Sequence, residues 1–368
     1  MQFKNSVEFL ERAKKVIPLA SQTFSKCYTQ LSVGAVPLFL DKGRGGRVWD
    51  VDGNEFVDQI MSLAPIILGY QNEEVDDAVK RQLAKAGILS LPGTLETEVA
   101  EKICSLVPSA EMVRFGKNGS DVTAGAVRVA RAYTGREIIA CSGYHGWQDW
   151  YIGTTTRNKG VPKKTQELTK TFTYNDIQSL EKIFSDNPNQ IAAVIMEPIG
   201  IEYPTDDFLQ KVKDVAHKNG ALLIFDEVVT GFRISLGGAQ EYFKVIPDLS
   251  CFGKALANGF PLSALVGRKE IMKECEEIFF SFTFGGDLLS LAAAKATLNI
   301  LERDKVCARV NELGMRLQNS YNEISEKLGL NERTKAIGYG AHYVTTFKDD
   351  KGDDDLAAKT VFQESMVG

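Results

Sequence analysis

The stretch 224–233 reads IFDEVVTGFR, and further along Lys254 lies within CFGKALANG. A carboxylate leaving a buried strand, Asp226, followed by a lysine just past another strand is the pair that pyridoxal phosphate chemistry requires. The lysine forms a Schiff base with the cofactor aldehyde, and the acid keeps the pyridine nitrogen protonated so that the ring accepts electrons. Each residue alone has a plainer reading. An Asp after an apolar run commonly caps a helix or ends a strand, and most lysines are solvated. The order of the other motifs makes the pair a candidate site.

Upstream, MVRFGKNGSDVTAGAVRVARAYTGR (112–136) is an apolar strand that breaks at Gly116 into Asn118-Gly119-Ser120 and continues as an amphipathic helix. Free amide hydrogens at a helix start, the helix dipole behind them and a glycine that lets an anion approach make a phosphate cradle. An ordinary cap by Asn118 or Ser120 is the competing reading. The loop has no Walker lysine pattern and no GxGxxG, which favours a single phosphate ester over a nucleotide. After the next strand, CSGYHGWQDW (141–150) places Tyr144 and His145 between glycines, where α/β folds hold ligands. An aromatic there stacks on a flat ring or fills the core edge. Glu197-Pro198 ends the run IAAVIM, either as a ligand-side acid or as a strand-ending turn.

The elements that must position these residues follow from periodicity. A first helix is expected at 5–16, and GRVWDVDGNEFVDQI (46–60) forms a hairpin around Asp52-Gly53. Helices at 73–86, 94–106, 120–134, 177–185 and 206–218 alternate with strands at 112–115, 137–141, 191–196, 221–225, 249–252 and 262–266. Strands rich in Ile, Val and Leu between amphipathic helices imply a mostly parallel sheet covered on both faces. The chain then reads as helical over 288–328, as strand-loop-strand over 336–347, as an acidic solvated loop at 348–355, and as a final helix from 356.

Length and composition bound the class. At 368 residues, 44% hydrophobic and 25% charged, the chain is expected to form two domains with a large core. A net charge of -5 and dispersed charges, with no Lys/Arg stripe beyond short local clusters such as Lys163 and Lys164, argue against nucleic acid and leave an anionic small molecule open. Six cysteines without a CxxC, an amphipathic charged start and no apolar run of membrane-spanning length point to a reducing cytoplasm and to no membrane partner. Three histidines, His145, His217 and His342, are too few and too scattered for a metal site.

Read in order, NGSD, GYHGW, IMEP, IFDEVVTGFR, FGKALANGFPLSA and SFTFGG resemble the class III pyridoxal phosphate aminotransferases, with most likeness to glutamate-1-semialdehyde 2,1-aminomutases and related sugar-type aminotransferases. The resemblance implies a fold-type-I transferase, α/β, with a mostly parallel mixed sheet, helices on both faces and a smaller α+β domain. Residues 1–70 would contribute a helix and hairpin to the small domain, 71–300 would form the cofactor-binding domain, and 301–368 part of the small domain. Asn118, Gly119 and Ser120 would hold the cofactor phosphate, Tyr144 would stack on the ring with His145 and Glu197 beside it, and Val228 would pack on the other face. Asp226 would pair with the ring nitrogen and Lys254 would carry the cofactor, which passes through pyridoxamine phosphate. Thr283 matches a threonine that reaches the phosphate across a dimer interface, implying a homodimer with shared sites.

Three departures shape the functional expectation. Where the aminomutases use an arginine for the substrate carboxylate, the match here is Lys26, a weaker partner than a bidentate guanidinium. The segment between Gly146 and Tyr174 is shorter than the aminomutase gating loop, and family members continue beyond Gly368, so a truncated small domain is expected. Amino-group transfer of the aminomutase type is the leading expectation. Transfer to a keto-sugar or another aldehyde or ketone is the alternative, and a non-catalytic, cofactor-binding or dimerising homologue is the reading from a different class.

Overall fold

The computed structural model describes residues 1–367. Three short strands, β1 (Leu40–Arg44), β2 (Arg47–Asp50) and β3 (Glu55–Val57), form an antiparallel sheet near the amino terminus. The expected hairpin is β2–β3, and β1 adds a strand that its sequence LDKGR concealed by being polar and solvent-facing. Next come β4 (Met112–Gly116), β5 (Ile138–Ser142), β6 (Thr169–Thr171), β7 (Ile191–Met196), β8 (Leu222–Asp226), β9 (Leu249–Phe252) and β10 (Ser263–Gly267). They make one sheet in the order β4-β10-β9-β8-β7-β5-β6. Only β10 runs against its neighbours β4 and β9.

Alternation along the central strands sorts side chains to two cores. Ile139, Ile195 and Ile224 face the Gly119–Thr134 helix, whereas Ala140, Val194 and Leu223 face the helices Ile177–Asp186 and Phe208–Lys218. Each such Ile, Val or Leu side chain contributes about 1.5–3 kcal/mol on burial. A sheet buried on both faces needs continuous apolar strands, which IAAVIM and LLIFD supply.

The register fixes where chemistry can occur. Ser142 pairs with Met196, Met196 with Phe225, and Asp226 with Cys251, so the carboxyl ends of β5, β7 and β8 lie level along one edge of the sheet. β4 runs the same way and ends at Gly116, just before the Asn118-Gly119-Ser120 turn.

Several boundaries depart from the sequence expectation. The first helix stops at Ala13. The stretch 288–328 is two helices, Leu288–Arg303 and Val306–Lys327, broken where Lys305 takes a left-handed φ of 51°. Strand β6, only TKT, carries too little apolar pattern to announce itself. A carboxy-terminal hairpin, β11 (Thr334–Tyr339) and β12 (His342–Phe347), packs on the Val306–Lys327 helix. There Gly314 permits close approach, since a Cβ would lie 1.7 Å from the Gly340 carbonyl oxygen. The Gln318 amide donates to the carbonyls of Ala336 and Gly338. The Leu356–Ser365 helix begins on an Asp355 cap.

Candidate active site

The level strand ends bring together most of the residues singled out from sequence. Asp226 closes β8 at 4% exposure. Its Oδ2 lies 2.8 Å from Nδ1 of His145, and its Oδ1 accepts the Val228 N–H at 3.1 Å. His145 is buried, and its Nε2 lies 3.1 Å from the Ser142 carbonyl. Both ring nitrogens therefore face acceptors. The imidazole is further held by stacking on Trp150 and by the edge of Tyr151, while the Thr123 hydroxyl donates to its carbonyl at 2.8 Å. Two anchored contacts leave Asp226 one orientation.

Lys254 follows β9 on a short turn, half-buried and with a left-handed φ of 41°. Burial depresses its ammonium, opposed by the negative charges of Asp226 and Glu197 and reinforced by Arg233. A lysine whose charge is disfavoured serves as a nucleophile or base near neutral pH.

Between these groups runs a floor made by small residues. A Cβ on Gly119 would lie 3.0 Å from Cγ1 of Val228, and one on Gly253 would lie 3.4 Å from the same atom. Val228 is thus wedged between the helix start at Gly119 and the residue before Lys254. At that helix start, the Asp121 carboxylate accepts from the N–H groups of Lys117 and Asn118. The amides of Gly119 and Ser120 have no acceptor in the protein among the described residues. Ser120 Oγ receives the Trp147 N–H at 3.3 Å, and Gly146, at φ 101°, lies where a side chain would collide with it.

Glu197, after β7, accepts the Tyr144 N–H at 2.9 Å. Its carboxyl is pushed above the usual range by burial first and by Asp226 second. Gly143, at φ 103°, faces it so closely that a Cβ would lie 2.6 Å from Glu197 Oε2. Tyr144 itself is 63% exposed, its ring edge-on to Tyr151. Two sequence candidates make no hydrogen bond to this cluster among the described residues. Thr283 sits exposed in the turn after Phe282, without a hydrogen bond to the other site residues. Lys26 is exposed on a short turn, with Nζ 3.5 Å from Ser62 Oγ.

Four features carried no local signal. Glu227, adjacent to Asp226, is fully buried. It receives the Thr230 hydroxyl, the N–H groups of Ala239 and Gln240 and the Gln240 amide, which fixes the loop leaving β8. Asn258 accepts from the N–H groups of Ile67 and Leu68 at 2.9 Å and donates to Gly69, tying the 66–69 segment to the turn that bears Lys254. Arg233 is buried without a carboxylate partner, its guanidinium on the carbonyls of Ala64 and Ala341. Met61, Ser62, Leu63 and Ala64 all take positive φ, a conformation costing about 1–2 kcal/mol per residue. Asp58 and Arg233 hold this turn at its two ends. The asparagine of KALANG and the arginine of TGFR, both polar residues in apolar runs, were the available hints.

The arrangement fits a flat cationic ring with a phosphate at one end. It offers an anchored acid, a lysine with depressed charge, two unused amides at a helix start, and an apolar floor kept low by glycines.

Comparison with known proteins agrees. The profile of the Aminotransferase class-III family matches residues 28–362. Over 360 residues, 96% of this chain and 86% of the relative, the sequence is 39% identical to a 3-aminobutyryl-CoA aminotransferase of Cloacimonas acidaminovorans. It is also 39% identical to a glutamate-1-semialdehyde 2,1-aminomutase of Methanothrix thermoacetophila, over 92% of this chain and 81% of that one. Among solved structures, a PLP form of the FumI protein of Sphingopyxis sp. MTA144 superposes with a TM-score of 0.89 at 30% identity, covering 94% of this chain and 84% of FumI. A β-phenylalanine aminotransferase of Variovorax paradoxus gives 0.83 at 26%, covering 98% and 84%. The fold is that of the PLP-dependent transaminases, and pyridoxal phosphate is the group for which the cleft is built. The chain belongs to the class III aminotransferase family.

Proposed function

We propose that this protein moves an amino group between two separate molecules, an amine donor and a carbonyl acceptor. The observation that carries amino-group transfer is the opposition of Lys254, its charge disfavoured by burial, to an Asp226 held on His145 across the Gly119–Val228–Gly253 floor. When bound, pyridoxal phosphate supplies an electron sink and a carrier for the amino group.

The chain's own residues do the rest. The amides of Gly119 and Ser120, with Asn118, hold the phosphate. Tyr144 covers one ring face and Val228 the other, so that the ring is clamped and water is kept off it. Asp226 keeps a proton on the ring nitrogen, and His145 keeps Asp226 aimed there. Lys254, as a free amine, would take the proton from the substrate carbon that bears nitrogen and hold it on Nζ for return on the same face. Glu197 stands beside Tyr144 at the ring edge. Thr283 serves the partner's phosphate in a homodimer, and exposed Phe279 and Phe284 on the same segment support a buried interface there.

Lys26 favours transfer between two molecules over transfer within one. A single ammonium on an exposed turn positions a small substrate's carboxylate less rigidly than a guanidinium fork. The aminomutase reading is supported by the Methanothrix relative, and the aminotransferase reading by the Cloacimonas one. The test is a screen in which conversion of the cofactor to its amine form is followed for each donor, then reversed with candidate aldehydes and keto acids. Conversion of glutamate-1-semialdehyde with no second substrate present, at rates above every donor–acceptor pair, would establish the aminomutase instead.

A further inference from the structure

The segment RNKGVPKK (157–164) places four cations in eight residues of a chain whose net charge is -5, with no acid among them. Arg157, Lys159, Lys163 and Lys164 are all exposed. Among the described residues, neither these four nor Lys26 takes part in an ion pair, although the chain forms many elsewhere.

The segment lies beside the cleft rather than on a remote face, because it folds back on the residue after the helix that flanks His145: a Cβ at Gly153 would lie 3.3 Å from Val161 and 3.1 Å from Gln166. The Asp149–Ile152 helix lies just upstream, and its Trp150 and Tyr151 pack on the His145 ring. The Arg157 guanidinium lies 4.0 Å from the centre of the Phe24 ring, on the turn that also carries Lys26. Lys26 reaches Ser62, and the same stretch of chain is fastened further on, through 66–69, to Asn258 beside the Lys254 turn. Arg157 and Lys26 thus meet at the Phe24 turn, and Lys26 links that turn to Ser62, a few residues before the segment tied to Asn258. Arginine stacked on an aromatic ring presents its free edge to phosphate oxygens, and several lysines around it hold a multiply charged anion that no one of them would retain.

We infer that the substrate entering this cleft carries a diphosphate handle, held at the rim by Arg157 with Lys159, Lys163 and Lys164, while its amine or carbonyl end reaches Lys254. This rests on the amino-transfer reading and narrows its substrate class. An acyl-coenzyme A thioester and a nucleotide sugar share the diphosphate, and their remaining parts differ enough for binding to tell them apart.

The experiment uses the cofactor-loaded protein, so that its own phosphate site is filled. Calorimetric binding of inorganic pyrophosphate, adenosine 3′-phosphate 5′-diphosphate and uridine diphosphate is measured for the native chain. The same titrations are run on a variant carrying Arg157→Ala, Lys159→Ala, Lys163→Ala and Lys164→Ala. The native protein is expected to bind pyrophosphate and, more tightly, one of the two nucleotides. Affinity should fall at least tenfold in the variant and fall steeply with added salt, while cofactor absorbance and turnover of a small uncharged amine stay unchanged. The preferred nucleotide identifies the carrier. Equal affinity in native and variant proteins, or no nucleotide binding by the native one, overturns the handle. Amine turnover without nucleotide binding sinks the handle alone. Variant-sensitive nucleotide binding without turnover of any amine supports the rim as a diphosphate site and sinks the amino-transfer reading.

Discussion

Asp226 and His145 meet 2.8 Å apart at the base of the cleft, both nearly without exposure, and the other nitrogen of the imidazole is tied to the Ser142 carbonyl at the end of β5, two strands away across β7. The acid at the end of one strand is thus aimed from the end of another. Replacing His145 by Leu is expected to cost about 3 kcal/mol, because it leaves a buried carboxylate short of a partner. Turnover should drop with cofactor still bound. Chemical denaturation alongside the cofactor spectrum checks this, and a variant of native stability and rate would remove His145 from the positioning role.

Asp226→Ala is expected to lower turnover by orders of magnitude at saturating cofactor, with Asp226→Glu intermediate. In the proposed mechanism the acid does more than anchor: it would hold the proton on the ring nitrogen. Rates measured at increasing cofactor concentration separate lost binding from lost chemistry. Full recovery at high cofactor would leave Asp226 a binding group only.

Borohydride treatment followed by peptide mapping should find the cofactor fixed on Lys254. Lys254→Ala should retain phosphate-dependent binding yet lose several orders of magnitude in turnover. An adduct on any other lysine would refute the assignment.

Gly143→Ala combines two penalties, a φ of 103° and a Cβ placed 2.6 Å from Glu197 Oε2. The expected cost is about 1–3 kcal/mol. Because Glu197 must move, the spectrum of the bound cofactor should also change. Gly135→Ala at φ 67° meets no neighbouring atom, so it should carry strain alone and leave the spectrum as it was.

His342 supplies a pH signature. Burial first, then the charges of Arg233 and Lys254, lower its pKa from 6.5 to about 4. Between those values the unfolded chain takes up a proton that the folded chain refuses, so stability is intact above pH 6.5 and drains away as pH falls toward 4. The full effect is about 3 kcal/mol. Denaturation midpoints for native protein and His342→Leu, measured at pH 7 and pH 5, should show the smaller loss in the variant. Parallel losses in the two proteins would discount this histidine.

The chemistry-bearing residues were legible because each belongs to a short pattern of residue types at a strand end, where local rules of strand, turn and helix start apply. Asp226 and Lys254 were readable as a pair, and the Asn118-Gly119-Ser120 turn and Tyr144 joined them through the order of motifs. What escaped was whatever depends on a partner far along the chain. The ties from Asn258 to 66–69, the bonds from Arg233 to Ala64 and Ala341, and the four left-handed residues at 61–64 exist only once distant segments meet. Strand β6 was missed because edge position relaxes the demand for apolar residues, and the break at Lys305 because nothing in ERDKVC signals it.

The tie made by Asn258 has a bearing on how substitutions act in such a protein. Its side chain fastens the 66–69 segment to the turn bearing Lys254, so that segment and the candidate nucleophile move as one piece. Substitutions between Gln59 and Ala64 fall outside that tie, whereas a change at position 258 would release the 66–69 segment and the lysine turn from each other.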